Sequence, residues 1–253
     1  MTSEASVPPA LFAFFEAMPR QGPGSEAVTR DLYQRVRPLL PPVPVAADMG
    51  CGSGAAGLVL AEDGAMVTGV DVHRPYLAAL EQAAARRGLS SSVATRCASM
   101  TESRLDETSL DLIWSEGAVF TVGFETALSA FMPLLKPGGI VVVSECAWFQ
   151  EEVPDELRTF WQRAYPAIAT VGSNLRRAEA LSYRFLSAET LPSEMWEQEF
   201  YQPMEALIAR HGEDCSAETM EIIQELQAEI DLFRRFHAFY GYVFFVLQKP
   251  EAG

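Results

Sequence analysis

Between Val45 and Gly54 the chain reads Val-Ala-Ala-Asp-Met-Gly-Cys-Gly-Ser-Gly: a short apolar strand, an acid, and glycines at three alternate positions. Glycines so spaced suit neither helix nor strand. They suit a tight bend against which a ligand lies with no Cβ in the way. Ala55-Ala-Gly-Leu58-Val-Leu60-Ala61 then reads as a small-residue helix that packs closely on a sheet, and Met66-Val-Thr-Gly-Val70 as a second strand ending at Asp71. This is half of a βαβαβ unit, and in open α/β sheets ligands bind at the carboxyl ends of the strands, where Asp48 and Asp71 fall.

Two cofactor classes use such a half-unit. A dinucleotide brings a pyrophosphate that needs bare backbone N–H groups at a helix N-terminus, and Gly52-Ser-Gly54-Ala-Ala-Gly57 formally fits its G-x-G-x-x-G fingerprint. S-adenosylmethionine carries no phosphate. Its ammonium side calls for a carboxylate near the bend, and its ribose diol for a second one after strand two. Asp48 beside a pyrophosphate is repulsive, whereas Asp48 and Asp71 together meet both needs of the sulfonium nucleoside. The expectation is therefore S-adenosylmethionine, released as S-adenosylhomocysteine, with an NAD(P)-dependent oxidoreductase as the rival reading.

Asp48-Met-Gly-Cys-Gly-Ser-Gly54 resembles the first motif of class I S-adenosylmethionine-dependent methyltransferases, and Asp71 of Thr68-Gly-Val-Asp71 resembles their ribose ligand. Arg20-Gln-Gly-Pro-Gly-Ser25, Trp114-Ser-Glu-Gly-Ala118, Lys136-Pro-Gly-Gly139 and Gly241-Tyr-Val-Phe-Phe245 resemble segments of bacterial small-molecule methyltransferases of the ubiquinone/menaquinone-biosynthesis type. The resemblance runs over nearly the whole chain and carries no information about the acceptor. It implies a doubly wound, mostly parallel, seven-stranded Rossmann-like α/β sheet with a reversed C-terminal hairpin, a helical N-terminal lid and a helical insertion. In that frame residues 1–40 form the N-terminal helices and lid. Residues 41–253 form the methyltransferase domain, with a cap insertion at about 149–174 and a long helix at about 216–240.

The pattern along the chain agrees with alternating strands and helices. Apolar residues Leu11, Phe12, Phe15 and Met18 lie at helical spacing; Pro19 to Gly24 breaks that helix, and Ser25 is placed to cap the next, which runs through Val36. A helix from Pro75 to near Gly88, a strand from Ser92 to Cys97, a strand from Leu110 to Trp114 and a helix carrying Phe124, Leu128, Phe131, Met132 and Leu135 follow. Lys136-Pro-Gly-Gly139 is expected to stop that helix before a buried strand, Ile140 to Ser144. The segment through Asn174 is expected to stay outside the sheet; its Phe160, Trp161 and Tyr165 read as core or as the roof of a pocket. A helix near Leu175–Leu181, a strand over Tyr183–Leu191, the long amphipathic helix and a final strand, Tyr242 to Leu247, complete the pattern. The long helix, capped by Ser216, also offers a seam for a homodimer.

Site candidates follow from strand ends and loops. Arg20 and Gln21 are expected to reach the cofactor's carboxylate from the lid, since arginine's fork matches a carboxylate. Asp48, Gly50, Gly52 and Gly54 hold the methionyl part, Asp71 and its neighbour Val72 the ribose, Ser99 and Met100 the adenine; Ser115, at the end of the fourth strand, is also expected to bind the cofactor. Glu116 and Glu145 are read as ending adjacent central strands, where they hold an ammonium-bearing acceptor or take its proton. His237, on the apolar seam of the long helix, is read first as structural and second as a base. Methyl transfer from a sulfonium is an in-line displacement that needs alignment above all, worth about 7–11 kcal/mol in favourable intramolecular cases. No nucleophile or triad is therefore required, and O-, N-, S- and C-methylation stay open. A cofactor-binding module without turnover, its acceptor space filled by Trp148, Phe160 and Trp161, is the third reading.

Bulk properties narrow the partners. The 253 residues are 49% hydrophobic, enough for one α/β core with an insertion, and carry a net charge of −15. That balance disfavours nucleic acid as partner and leaves a small-molecule acceptor. The four cysteines, Cys51, Cys97, Cys146 and Cys215, show no metal-ligand or redox spacing, and three of them read as small buried residues. No apolar run is long enough for a membrane span, and the acidic Glu4 without a basic, then apolar leader argues against secretion. The expected setting is cytoplasmic, with no metal.

Overall fold

The structure is a computed structural model that describes residues 9–211 and 216–251. Cys215 and residues 1–8 lie outside it. Helices α1 (Pro9–Glu16) and α2 (Glu26–Val36) precede the alternating part: β1 (Val45–Met49), α3 (Ala55–Glu62), β2 (Met66–Asp71), α4 (Arg74–Arg86), β3 (Val93–Cys97), β4 (Leu110–Ser115), α5 (Phe124–Phe131) and β5 (Leu135–Trp148). Then come α6 (Asp155–Ala164), β6 (Ala169–Thr170), α7 (Val171–Ala180) and β7 (Arg184–Thr190). The chain closes with α8 (Ser193–Trp196), α9 (Gln202–His211), α10 (Ala217–Phe236) and β8 (Tyr240–Gln248).

The sheet order is β3-β2-β1-β4-β5-β8-β7, with the two-residue β6 paired to the end of β5. β1 to β5 are parallel, and β8 enters antiparallel between β5 and β7. The chain reverses its winding between β1 and β4, which opens a crevice at their carboxyl ends. There Asp48 sits in register with Gly69 on one side and Trp114 on the other. The sheet is mostly parallel and Rossmann-like, with a C-terminal antiparallel hairpin.

Two apolar layers cover the sheet. On one face Ala46, Leu112, Val142, Tyr240 and Phe244 pack with residues from α2, α3, α8 and α10; on the other Ala47, Ile113, Val143 and Phe245 pack with α5. Period-two alternation along β1, β4, β5 and β8 sorts the residues between these layers. Ser25 and Ser216 cap α2 and α10 as expected, each accepting the amide three residues on.

Five expectations change. β5 starts at Leu135, because Lys136 to Gly139 is absorbed as a register shift between Leu110↔Leu135 and Leu112↔Ile140 instead of forming a loop. β5 also runs on to Trp148, so Glu145 lies inside the strand opposite Val243, not at its end. α7 begins at Val171, and β6 brings part of the insertion into the sheet. α10 stops at Phe236, so Tyr240 belongs to β8, and His237 is its exposed C-cap, not part of a buried seam. Cys97 is exposed, whereas Cys51 and Cys146 are buried. Among the described residues no helix is long and apolar enough to cross a membrane, and no three His, Cys, Asp or Glu side chains gather as metal ligands.

Candidate functional site

The glycine bend is held by its own acceptors. Gly50 and Cys51 both donate their amides to the Val70 carbonyl, and Gly54 donates to Cys51. Gly52 N–H donates to Asp71 Oδ2 at 2.9 Å, Ser53 N–H to Gln21 Oε1 at 2.9 Å, and Gly57 N–H to Asp48 Oδ2 at 2.8 Å. Left-handed φ values of +70° at Gly50 and +90° at Gly54 explain why the bend needs glycine there. Gly57 has a different reason: a Cβ would stand 2.9 Å from Asp48 Oδ2, so its absence lets α3 settle on β1.

An open cavity of about 420 Å³ lies over this bend. Its walls include Arg20, Gln21, Asp48, Gly50, Gly52 and Glu116, so six of the expected residues do share one space. Asp48 is buried and its carboxyl is pushed up to about 8, by burial first and then by the negative Glu116 and Asp71 nearby. Asp71 adjoins the bend through Gly52 and spends its second oxygen on the His73 amide at 2.8 Å. Burial raises its pKa, and the His73 and Gly52 amides oppose that.

The remaining candidates surround this space at different depths. The Ala98 amide donates to the Asp71 carbonyl, which sets Ser99 and Met100 just past the end of β2. Ser99 caps the short turn Met100–Glu102, and Met100 packs beneath Gly50. Val72 is 58% exposed beside Asp71. Gly54 caps α3 against the Leu80 side chain. Ser115 is fully buried and donates its hydroxyl to the Met49 carbonyl at 2.6 Å, so it ties β4 to β1 and presents nothing to the cavity.

The two glutamates have parted roles. Glu116 Oε1 accepts from Thr29 Oγ1 at 2.7 Å and Trp114 Nε1 at 2.8 Å, while Oε2 faces Arg20 at 3.3 Å. It anchors the segment between α1 and α2. Glu145 is 2% exposed, and neither oxygen meets a donor at good geometry. Burial pushes it up to about 8; Tyr165, the Cys146 amide and Arg177 pull the other way. His237 lies at a second cavity with Phe149, Trp196 and Tyr240.

Several partners escaped the sequence reading. Gly22 and Gly117 also line the first cavity; they are neighbours across it, a Cβ on Gly22 falling 3.8 Å from Gly117 Cα, at ordinary contact distance. A glycine in each of two loops at the strand edge was the available signal. Phe12 stacks on His73 at 4.3 Å, and Glu16 Oε1 lies 2.6 Å from His73 Nε2, so α1 covers the Asp71 side. Nothing in the spacing of the sequence pairs those helices.

The buried acids set a pH dependence. For both Asp48 and Glu145 the folded pKa lies above the unfolded one, so the folded state binds more protons between about pH 4 and 8. Their contribution is full below the unfolded pKa and is lost as pH rises through 8. Urea unfolding is expected to show lower stability at pH 8.5 than at pH 5.5, by a few kcal/mol at most. Glu145→Gln is expected to flatten that slope; a slope unchanged by it would contradict the burial argument.

Residues 47–143 match the family model described as "Methyltransferase domain". No curated protein matches the chain. A S-adenosylmethionine-dependent methyltransferase from Geobacter sulfurreducens, solved with S-adenosyl-L-homocysteine, superposes with a TM-score of 0.81 at 18% identity, covering 95% of this chain and 98% of that one. YjhP from E. coli gives 0.82 at 22% identity, over 94% and 99% of the two chains. The [4+2]-cyclase SpnF gives 0.71 at 22% identity, over 93% and 86%. The stretch from β1 to β5 that carries the glycine bend and both acidic strand ends thus matches the methyltransferase-domain model, and the chain as a whole shares the Rossmann-like fold of these solved structures.

Proposed function

We propose that this chain binds S-adenosylmethionine over the Gly50–Gly54 bend and transfers its methyl group to a small-molecule acceptor. One observation carries the choice of cofactor. The amides of Gly50, Cys51, Gly52, Ser53, Gly54 and Gly57 already have protein acceptors, two of them the carboxylates Asp48 and Asp71. A pyrophosphate would have to displace those acceptors and would face the Asp71 and Glu116 carboxyls. A phosphate-free nucleoside asks nothing of those amides and could offer its hydroxyls to Asp71. The Geobacter protein, solved with S-adenosyl-L-homocysteine, supports this reading by fold.

The bound cofactor would supply an activated methyl on a sulfonium. This chain's residues would do the rest. Asp71 would accept the ribose hydroxyls, Val72 and the Ser99–Met100 corner would border the adenine, and Arg20 and Gln21 would close over the methionyl end. Glu116, already committed to Thr29, Trp114 and Arg20, would hold that closing segment and not move protons. Glu145, inside β5 and outside the walls of this cavity, would leave alignment of the acceptor as the chain's main contribution. SpnF, a cyclase with this fold, is the reason to measure turnover as well as binding.

The test is a thermal-shift titration. S-adenosylhomocysteine is expected to raise Tm with a dose dependence that follows mass action, and NAD to leave it unchanged. Stabilisation by NAD alone would overturn the reading. Release of S-adenosylhomocysteine on addition of acceptor pools would then establish transfer.

A further inference from the structure

A second cavity, of about 360 Å³, lies where β7 ends and β8 begins. Its walls are the rings of Phe149, Trp196, Phe233 and Tyr240, His237 at its rim, and the Thr190–Ser193 turn. The wall backbone is already paired: Leu191 N–H donates to the Tyr242 carbonyl at 2.8 Å, and Phe149 N–H to the Phe239 carbonyl at 2.9 Å. No Lys, Arg, Asp or Glu lines the cavity, so it has nothing with which to hold a charged group.

Two of its wall residues carry a buried donor with no partner, Trp196 at Nε1 and Tyr240 at its hydroxyl, and the indole is the one that can only donate. Trp196 is 2% exposed, and its Nε1 has no hydrogen-bond partner. The indole cannot turn away to find one, being stacked on Phe233 at 4.7 Å and wedged against Tyr242 at 4.7 Å. Gly241 borders both rings: a Cβ there would stand 3.0 Å from the Phe149 ring, a tight contact, and 3.9 Å from Trp196 Nε1. An indole N–H only donates, so its missing partner is an acceptor, and buried donors in native proteins are nearly always answered.

We propose that this cavity binds a planar, uncharged ring that carries an oxygen acceptor, gripped by the aromatic walls and hydrogen-bonded by Trp196 Nε1. The site is one ring away from the first cavity. Tyr242 separates them, touching Trp196 on one side, while a Cβ on Gly117 would stand 3.3 Å from its Cε2 on the other. The proposal does not depend on which cofactor the first cavity holds.

The experiment compares coumarin, a fused bicycle with a lactone carbonyl, with naphthalene, which has the fused rings and no acceptor. Both are titrated into the full chain by ligand-observed NMR. Wild type is expected to bind coumarin at least tenfold more tightly than naphthalene. Trp196→Phe keeps the ring and removes the donor, and is expected to bring the two ligands within twofold of each other. Gly241→Val is expected to weaken both at least tenfold. S-adenosylhomocysteine binding, measured on each variant, reports folding and tests the first cavity separately. No saturable coumarin binding by wild type, as when the Nε1 partner is an ordered water, would overturn the proposal. So would a coumarin preference that survives in Trp196→Phe.

Discussion

Asp71→Ala is expected to weaken S-adenosylhomocysteine binding by about 100-fold or more, the largest single-residue effect on the cofactor. Asp71 orients the Gly52 and His73 amides through its two oxygens, and in the proposed complex it also meets the ribose diol. Hydrogen bonds to a charged group are worth about 1.5–3 kcal/mol each, and a hundredfold is about 2.8 kcal/mol. Asp71→Asn keeps an oxygen for Gly52 and loses the charge, so about tenfold is expected. The stability of the empty protein should move less than the affinity, because burial already disfavours the Asp71 charge and its removal relieves that cost. Calorimetric titration of S-adenosylhomocysteine reads the first quantity and urea unfolding the second. Unaltered affinity in Asp71→Ala would remove the ribose assignment.

Gly54→Ala is expected to cost the fold about 3 kcal/mol or more. Its φ of +90° is one that L-residues rarely adopt, for roughly 1–2 kcal/mol. A Cβ would also run into Leu80, which is fully buried and has no room to yield, and overpacking adds about 1–3 kcal/mol. Gly64 supplies the internal control: its φ is +94°, yet a Cβ there meets nothing within 4 Å. Gly64→Ala should therefore show the backbone strain alone, about 1–2 kcal/mol. Urea midpoints of the two variants separate strain from collision. Equal losses at both positions would mean that Leu80 plays no part.

The parallel half of the fold was legible because its signals are local. An apolar strand, a bend of glycines and a small-residue helix are each written within ten residues, and the acids at 48 and 71 mark the strand ends directly. The corrections fall where a partner strand decides. Lys136 to Gly139 looks like a helix stop, but pairing with β4 draws it into a bulged strand. β5 reaches Trp148 because β8 lies beside it all the way, which moves Glu145 from a strand end to a strand interior. The site divides the same way. The bend was readable from its residues. The binding of Glu116 by Thr29 and Arg20, and the cover of Phe12 over His73, join segments far apart in sequence that carry no pairing code.

The placement of β8 has a consequence for how the molecule assembles on the ribosome. β5 needs β8 along its length, but residues 149–239 are made between them. Throughout that interval the newest edge of the parallel sheet, Ile140 to Val143, leaves every second amide unanswered, a template for strand addition by another nascent chain. Shielding of that edge by a chaperone, or slow synthesis that keeps neighbouring chains apart, should govern the yield of recombinant protein more than the equilibrium stability does.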